Sequence, residues 1–156
     1  MRIRQHIRRP KIIESDTDWR DDDLPPRFSG IYERTRPMRA GWRWRSVLAK
    51  ADGIEYIFLL QVKPRQDNWL AWLILKEENS CSIVSRYEYH SSHPGFHAHA
   101  DCTRGGVEKG PDSIDNLLRI PKVSSPNGPT ITLKERTFWE KSRKHFRIEF
   151  KQGQLL

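Results

Sequence analysis

The chain predicts an α+β domain: a single antiparallel sheet of four to six strands with one main C-terminal helix packed on one face. Three observations carry this. Apolar and polar residues alternate with a period of two through much of residues 42–102, turn signals such as Asp52-Gly53 separate the alternating runs, and a long helical pattern is confined to residues 133–146. A length of 156 residues suits one core. Hydrophobic residues at 36% against charged residues at 31% suggest that part of the chain stays outside it.

The N-terminal stretch reads as that part. Arg2, Arg4, Arg8, Arg9 and Lys11 give way to Asp16, Asp18, Asp21, Asp22 and Asp23, and then to Pro25-Pro26. Oppositely charged blocks of this kind predict a basic-then-acidic arm over residues 1–40, extended or partly disordered, followed by a single α+β domain over residues 41–156.

Within the domain, residues 42–48 alternate as a first strand, with Trp42 and Trp44 packed inward and Arg43 and Arg45 in solvent. Residues 54–62 form the second strand after the Asp-Gly turn. Residues 64–68 turn the chain again. Residues 69–75 are apolar on both faces, as a central strand covered on both sides would be, and Trp69, Trp72 and Trp139 are assigned to packing. Residues 81–90 alternate, and a loop over residues 91–94 leads to a strand that carries His97, His99 and Asp101 on one side and Phe96, Ala98, Ala100 and Cys102 on the other. If that loop closes a hairpin, Tyr89 faces Phe96, Glu88 faces His97 and Arg86 faces His99. Further on, Pro111-Asp112-Ser113 opens a short helix through Leu118, and residues 124–129 form a loop. Thr132 with Glu135 makes a capping-box pattern ahead of the main helix, and Ile148 and Phe150 suggest a short closing strand.

Four of the six histidines, His90, His93, His97 and His99, fall within ten residues. Histidine titrates nearest neutral pH and is the commonest metal ligand, so the cluster points to proton transfer or to a metal. The hairpin register would set Arg86, Glu88, His90, His97, His99 and Asp101 on one exposed sheet face. That set suits metal-free RNA cleavage, in which Glu88 or one histidine is the base, the other histidine the acid, and Arg86 the clamp for the phosphorane charge, with His90 or His93 assisting. Lys141, Arg143 and Lys144, with Arg147 and His145 near them, suggest a basic helix surface for substrate phosphates. The same cluster admits one divalent ion such as zinc or manganese on His97, His99, His90 and Asp101, with open positions for water. A solvated sheet face with no catalytic role, or a non-catalytic RNA- or partner-binding module, is the remaining reading.

A net charge of +8 and a pI near 9.8 favour an anionic partner, with RNA the expected one. Cys81 and Cys102, each in the apolar set of its strand, are expected to be reduced thiols in a cytoplasmic protein, and the longest apolar run, residues 69–75, is too short to cross a bilayer.

Arg86-Tyr87, a histidine-rich turn and His97-x-His99 together resemble the corresponding stretch of TumE-like toxins of prokaryotic toxin-antitoxin systems. The resemblance implies a growth-inhibiting toxin neutralised by a cognate antitoxin, with His97 and His99 at the matched positions. The expectation is therefore a ribonuclease-like toxin or defence protein without a cofactor. A metal-dependent hydrolase and a binding module are the alternatives.

Overall fold

A computed structural model describes residues 3–28, 41–90, 93–100 and 133–153; among residues 90–100, side chains are not described at His90 or anywhere in 93–100 except Ala98. Asp101, Cys102, the expected helix from Pro111 and the loop at 124–129 lie outside the described residues. In chain order the elements are α1 (Ile3–Arg8), β1 (Lys11–Asp16), a 3-10 turn (Pro26–Phe28), β2 (Arg43–Ala51), β3 (Ile54–Lys63), a 3-10 turn (Pro64–Gln66), β4 (Asn68–Lys76), β5 (Cys81–His90), β6 (His93–Ala100), α2 (Glu135–His145) and β7 (Ile148–Glu149).

The strands form one seven-stranded sheet in the order β6-β5-β4-β3-β2-β1-β7. From β1 to β6 every neighbouring pair is antiparallel, but β1 and β7 run parallel, Lys11 opposite Ile148 and Ile12 opposite Glu149. The sheet is thus mixed and wider than the antiparallel sheet of four to six strands that the alternation predicts. The additional strand β1 comes from the segment expected to be an arm. Ile3, Ile7 and Ile13 are buried there, and burying them offsets the cost of ordering a charged stretch.

Local chemistry explains the hairpins. Asp52 and Gly53 both take positive φ (48° and 79°), as a two-residue turn between twisted strands requires, and Ala51 pairs with Ile54 across it. The β3–β4 connection is the Pro64–Gln66 turn closed by Asp67 in the left-handed region, with Lys63 opposite Asn68. Strand β4 lies inside the sheet as its two apolar faces demand: Trp69, Ala71, Leu73 and Leu75 belong to one buried cluster, Trp72 and Ile74 to the other.

The first cluster lies under the helices. Phe138, Trp139, Phe146 and Leu133 meet Tyr56, Phe58, Trp69, Val84, Tyr87 and Tyr89, and Phe138 sits with its ring centre 5.6 Å from that of Trp69 and 6.2 Å from that of Tyr87. Helix α2 begins at Glu135, with Lys134 as an extended N-cap whose side chain makes no capping bond. Glu135 is therefore the first helical residue and not the third, and Lys134 holds the N-cap place expected for Thr132, which lies outside the described residues. Arg45, expected in solvent, lies on this covered side with its guanidinium 3.6 Å from the Trp139 ring centre.

Two buried basic groups, Lys11 and His6, and the half-buried His145 tie the helices to the sheet. Lys11 has no exposed surface, and its ammonium donates to the carbonyl oxygens of Arg9 (2.7 Å), Phe146 (2.8 Å) and Ile7 (3.3 Å). Burial, with Arg147 and Arg9 nearby, lowers its pKa to about 7. The His6 Nδ1 meets the Tyr56 hydroxyl at 2.6 Å, and burial lowers His6 to about 4. His145, expected among surface charges, stacks on Tyr87 at 4.7 Å, and burial followed by the Lys11 charge lowers it to about 4 as well.

Candidate functional site

The hairpin of β5 and β6 carries the candidate site at one edge of the described sheet. Its ladder sets Ser85 opposite Ala100, Arg86 opposite His99, Tyr87 opposite Ala98 and Glu88 opposite His97. Two of the three expected pairings therefore form. The third does not: the register shifts between Glu88 and His90, and His90 pairs with His93 where Tyr89 was expected to meet Phe96. Strand β6 starts at His93, so His93 and Pro94, expected in a loop over 91–94, belong to the strand.

Alternation separates the two faces of β5. Tyr87 and Tyr89 join the helix-covered cluster, and Arg86 and Glu88, each one residue before a tyrosine, fall on the opposite face. Nε of Arg86 lies 2.8 Å from Oε2 of Glu88, and its guanidinium sits 5.3 Å from the ring centre of Trp72, the residue directly opposite on β4. Trp72 in turn donates its Nε1–H to Oε1 of buried Gln61 at 2.9 Å. Arg86 is thereby held by an ion pair on one side and a fixed ring on the other, which limits the directions its charge can take.

This face is not the open floor that the alternation suggests. Trp44, Ile57, Leu59, Trp72, Ile74 and Ile83 form a second buried cluster with Leu24 and Phe28, and Glu88 is only 7% exposed. The strands carry apolar residues on both sides, so a large part of the second face is packed as well. Arg86, with 32% of its side chain exposed, is the partly open member of the pair.

The basic helix residues are not brought to this pair. Helix α2 packs on the Tyr87 side through Phe138 and Trp139, so the sheet stands between it and Trp72. Lys141 and Lys144 are exposed on it. Arg143 turns inward: it pairs with Glu140 at 2.9 Å, donates to the Ile148 carbonyl at 2.8 Å and lies 4.9 Å from the Phe150 ring centre. Position in sequence grouped these three cations; packing divides them. Cys81, expected in the apolar set, is exposed at the start of β5.

Of the expected site residues, Arg86 and Glu88 are in direct contact, and His97 and His99 occupy the ladder positions opposite them. The side chains of His90, His93, His97 and His99 are outside the described ones, as is Asp101. Among the described residues, no group of three or more His, Cys, Asp or Glu side chains is placed to hold a metal. Sequence reasoning missed Trp72 as the platform for Arg86. The signal was present in the register, since a central-strand tryptophan opposite an arginine supplies such a surface. No family model, curated protein or solved structure matches the chain. Among the described residues no helix is long and apolar enough to cross a membrane.

Proposed function

We propose that the protein is a ribonuclease-like toxin or defence protein that cleaves RNA by metal-free acid–base catalysis on the β5–β6 hairpin. The observation that supports this most is the ladder itself, which puts His99 opposite Arg86 and His97 opposite Glu88. Directly opposite positions in an antiparallel pair stand about 5 Å apart, a spacing across which one phosphodiester can be shared. In the reaction, a base takes the proton of a ribose 2′-hydroxyl, whose oxygen attacks the adjacent phosphorus. The bond to the 5′-oxygen breaks, and an acid protonates that leaving oxygen.

The base is Glu88 or one histidine of the pair His97 and His99, and the other histidine is the acid. Arg86, already oriented by Glu88 and Trp72, offers its fork to the oxygens that gain charge in the phosphorane. His90 and His93, paired at the end of the same hairpin, assist substrate binding or proton transfer. A net charge of +8 favours encounter with RNA. A cytoplasmic toxin of this kind would be held in check by a cognate antitoxin.

The test is cleavage of RNA by purified protein and by a His97→Ala/His99→Ala variant. The variant is expected to lose at least about a hundredfold in rate with an unchanged circular dichroism spectrum. Equal cleavage by both proteins overturns the assignment. Wild-type activity should persist in chelator. Loss in chelator, together with a stoichiometric ion in elemental analysis, would instead identify a divalent-metal hydrolase using His90, His97, His99 and Asp101. RNA binding without cleavage in either protein would leave a binding module.

A further inference from the structure

A second place on the molecule combines the features that single-stranded nucleic acids need, on the side of the sheet away from Arg86. Where the first turn of α2 meets the β3–β4 turn, a cleft of about 590 Å³ is lined by Trp19, Trp69, Trp139 and Leu133 together with Arg45, Lys134 and Arg136. That volume lies within the range, about 300–1,000 Å³, of sites that hold small organic ligands. Its floor is aromatic and apolar, with Trp69, Trp139 and Leu133 buried beneath it and the half-buried Trp19 the ring left accessible; its rim is basic.

The charges in the cleft differ in kind. Arg45 is fixed: Asp16 takes its guanidinium at 3.0 and 2.5 Å, and Trp139 and Trp19 lie 3.6 and 6.0 Å from it, measured to the ring centres. Its charge is neutralised and it serves as one planar layer beside the half-buried Trp19. Glu135, the acid at the rim, is likewise occupied by Arg43 at 3.2 Å. Lys134 and Arg136 are exposed and have no carboxylate partner among the described residues. The uncompensated charge of the cleft is therefore positive, and it sits beside a flat apolar surface.

We propose that this cleft seats one nucleotide of a single-stranded nucleic acid, its base against the half-buried Trp19 and its phosphate between Lys134 and Arg136. A planar apolar body joined to an anion satisfies both halves of the lining. The chain's excess of positive charge draws such a strand in, and aromatic stacking holds it without reading its sequence. The cleft does not depend on cleavage. It would act as an anchor even if the histidines of the hairpin proved inert.

The experiment is anisotropy of a fluorescein-labelled oligodeoxyadenylate, titrated with the full chain over a range of salt concentrations. This probe lacks the 2′-hydroxyl, so failure of the ribonuclease reading cannot affect the result. Wild-type affinity is expected to fall linearly with salt on logarithmic axes, and Lys134→Ala/Arg136→Ala, which frees the one phosphate they share, to make the slope shallower by about 0.7. Trp19→Ala should weaken binding roughly tenfold, and Trp19→Phe, which keeps a ring, should retain most of it and guard against loss of fold. Binding that ignores all three substitutions overturns the proposal. So does equal competition by polyglutamate, which would mark the cleft as a site for an acidic protein.

Discussion

A lysine with no exposed surface is unusual, and Lys11 is kept by carbonyl oxygens from three positions, two of them on or just after α1 and one at the end of α2. With His6 and His145 it makes the helix–sheet junction sensitive to protons. Between about pH 4 and 6.5 the unfolded chain protonates both histidines while the folded chain leaves them neutral, so stability falls as pH drops through that window. Lys11 acts in the same direction at higher pH: the folded chain releases its proton near 7 and the unfolded chain near 10.5, so stability continues to rise between those values. The urea midpoint is therefore expected to drop steeply on acidification below 6.5. His145→Phe, which preserves a ring against Tyr87, should remove about one proton from that dependence. An unchanged slope in the variant would show that His145 is not one of the groups responsible. No feature of the sequence around Lys11, His6 or His145 marks them as drawn in from solvent, because each stands in a segment rich in charge.

Among the elements, α2 and the β5–β6 hairpin decide most. Helix α2 covers the sheet chiefly through Phe138, which is fully buried between Trp69, Tyr87 and the rest of the helix-side cluster. Phe138→Ala removes a ring that its neighbours cannot easily replace, and should lower the unfolding free energy by about 3–5 kcal/mol in a denaturant titration. A loss below about 1 kcal/mol would mean that the helix is only loosely docked. The hairpin was legible because its alternation admits one register: Tyr87 opposite Ala98 follows from keeping apolar residues on one side, and Arg86 with His99 follows with it. The turn end of the same hairpin was not legible, since a ladder shift depends on backbone twist and leaves no mark on the pattern of side chains.

For the molecule as a whole, the N-terminal segment is the decisive case. Strand β1 stands between β2 and β7, and α1 adds Ile3 and Ile7 to the main cluster. A chain starting at residue 41 would leave β2 with an open edge and strip the end of α2 of its Lys11 contact. Such a chain is expected to lose cooperative urea unfolding, and retention of a sharp transition would show residues 41–156 to be an autonomous domain after all. The amino-acid sequence by itself determined what neighbours along the chain can settle: the Asp52-Gly53 turn, the two-faced apolar strand β4, the helix after residue 133 and the core register of the histidine hairpin. Only the tertiary structure decided what distant segments do to one another. It paired β1 in parallel with β7 across more than a hundred residues, drew a basic stretch under cover by capping its lysine with carbonyls, and packed hydrocarbon on the face that Arg86 and Glu88 share. The physical reason is that local alternation shows which side chains lie together on a strand, whereas the element that comes to cover them is set by the burial and polar pairing the whole chain can achieve at once.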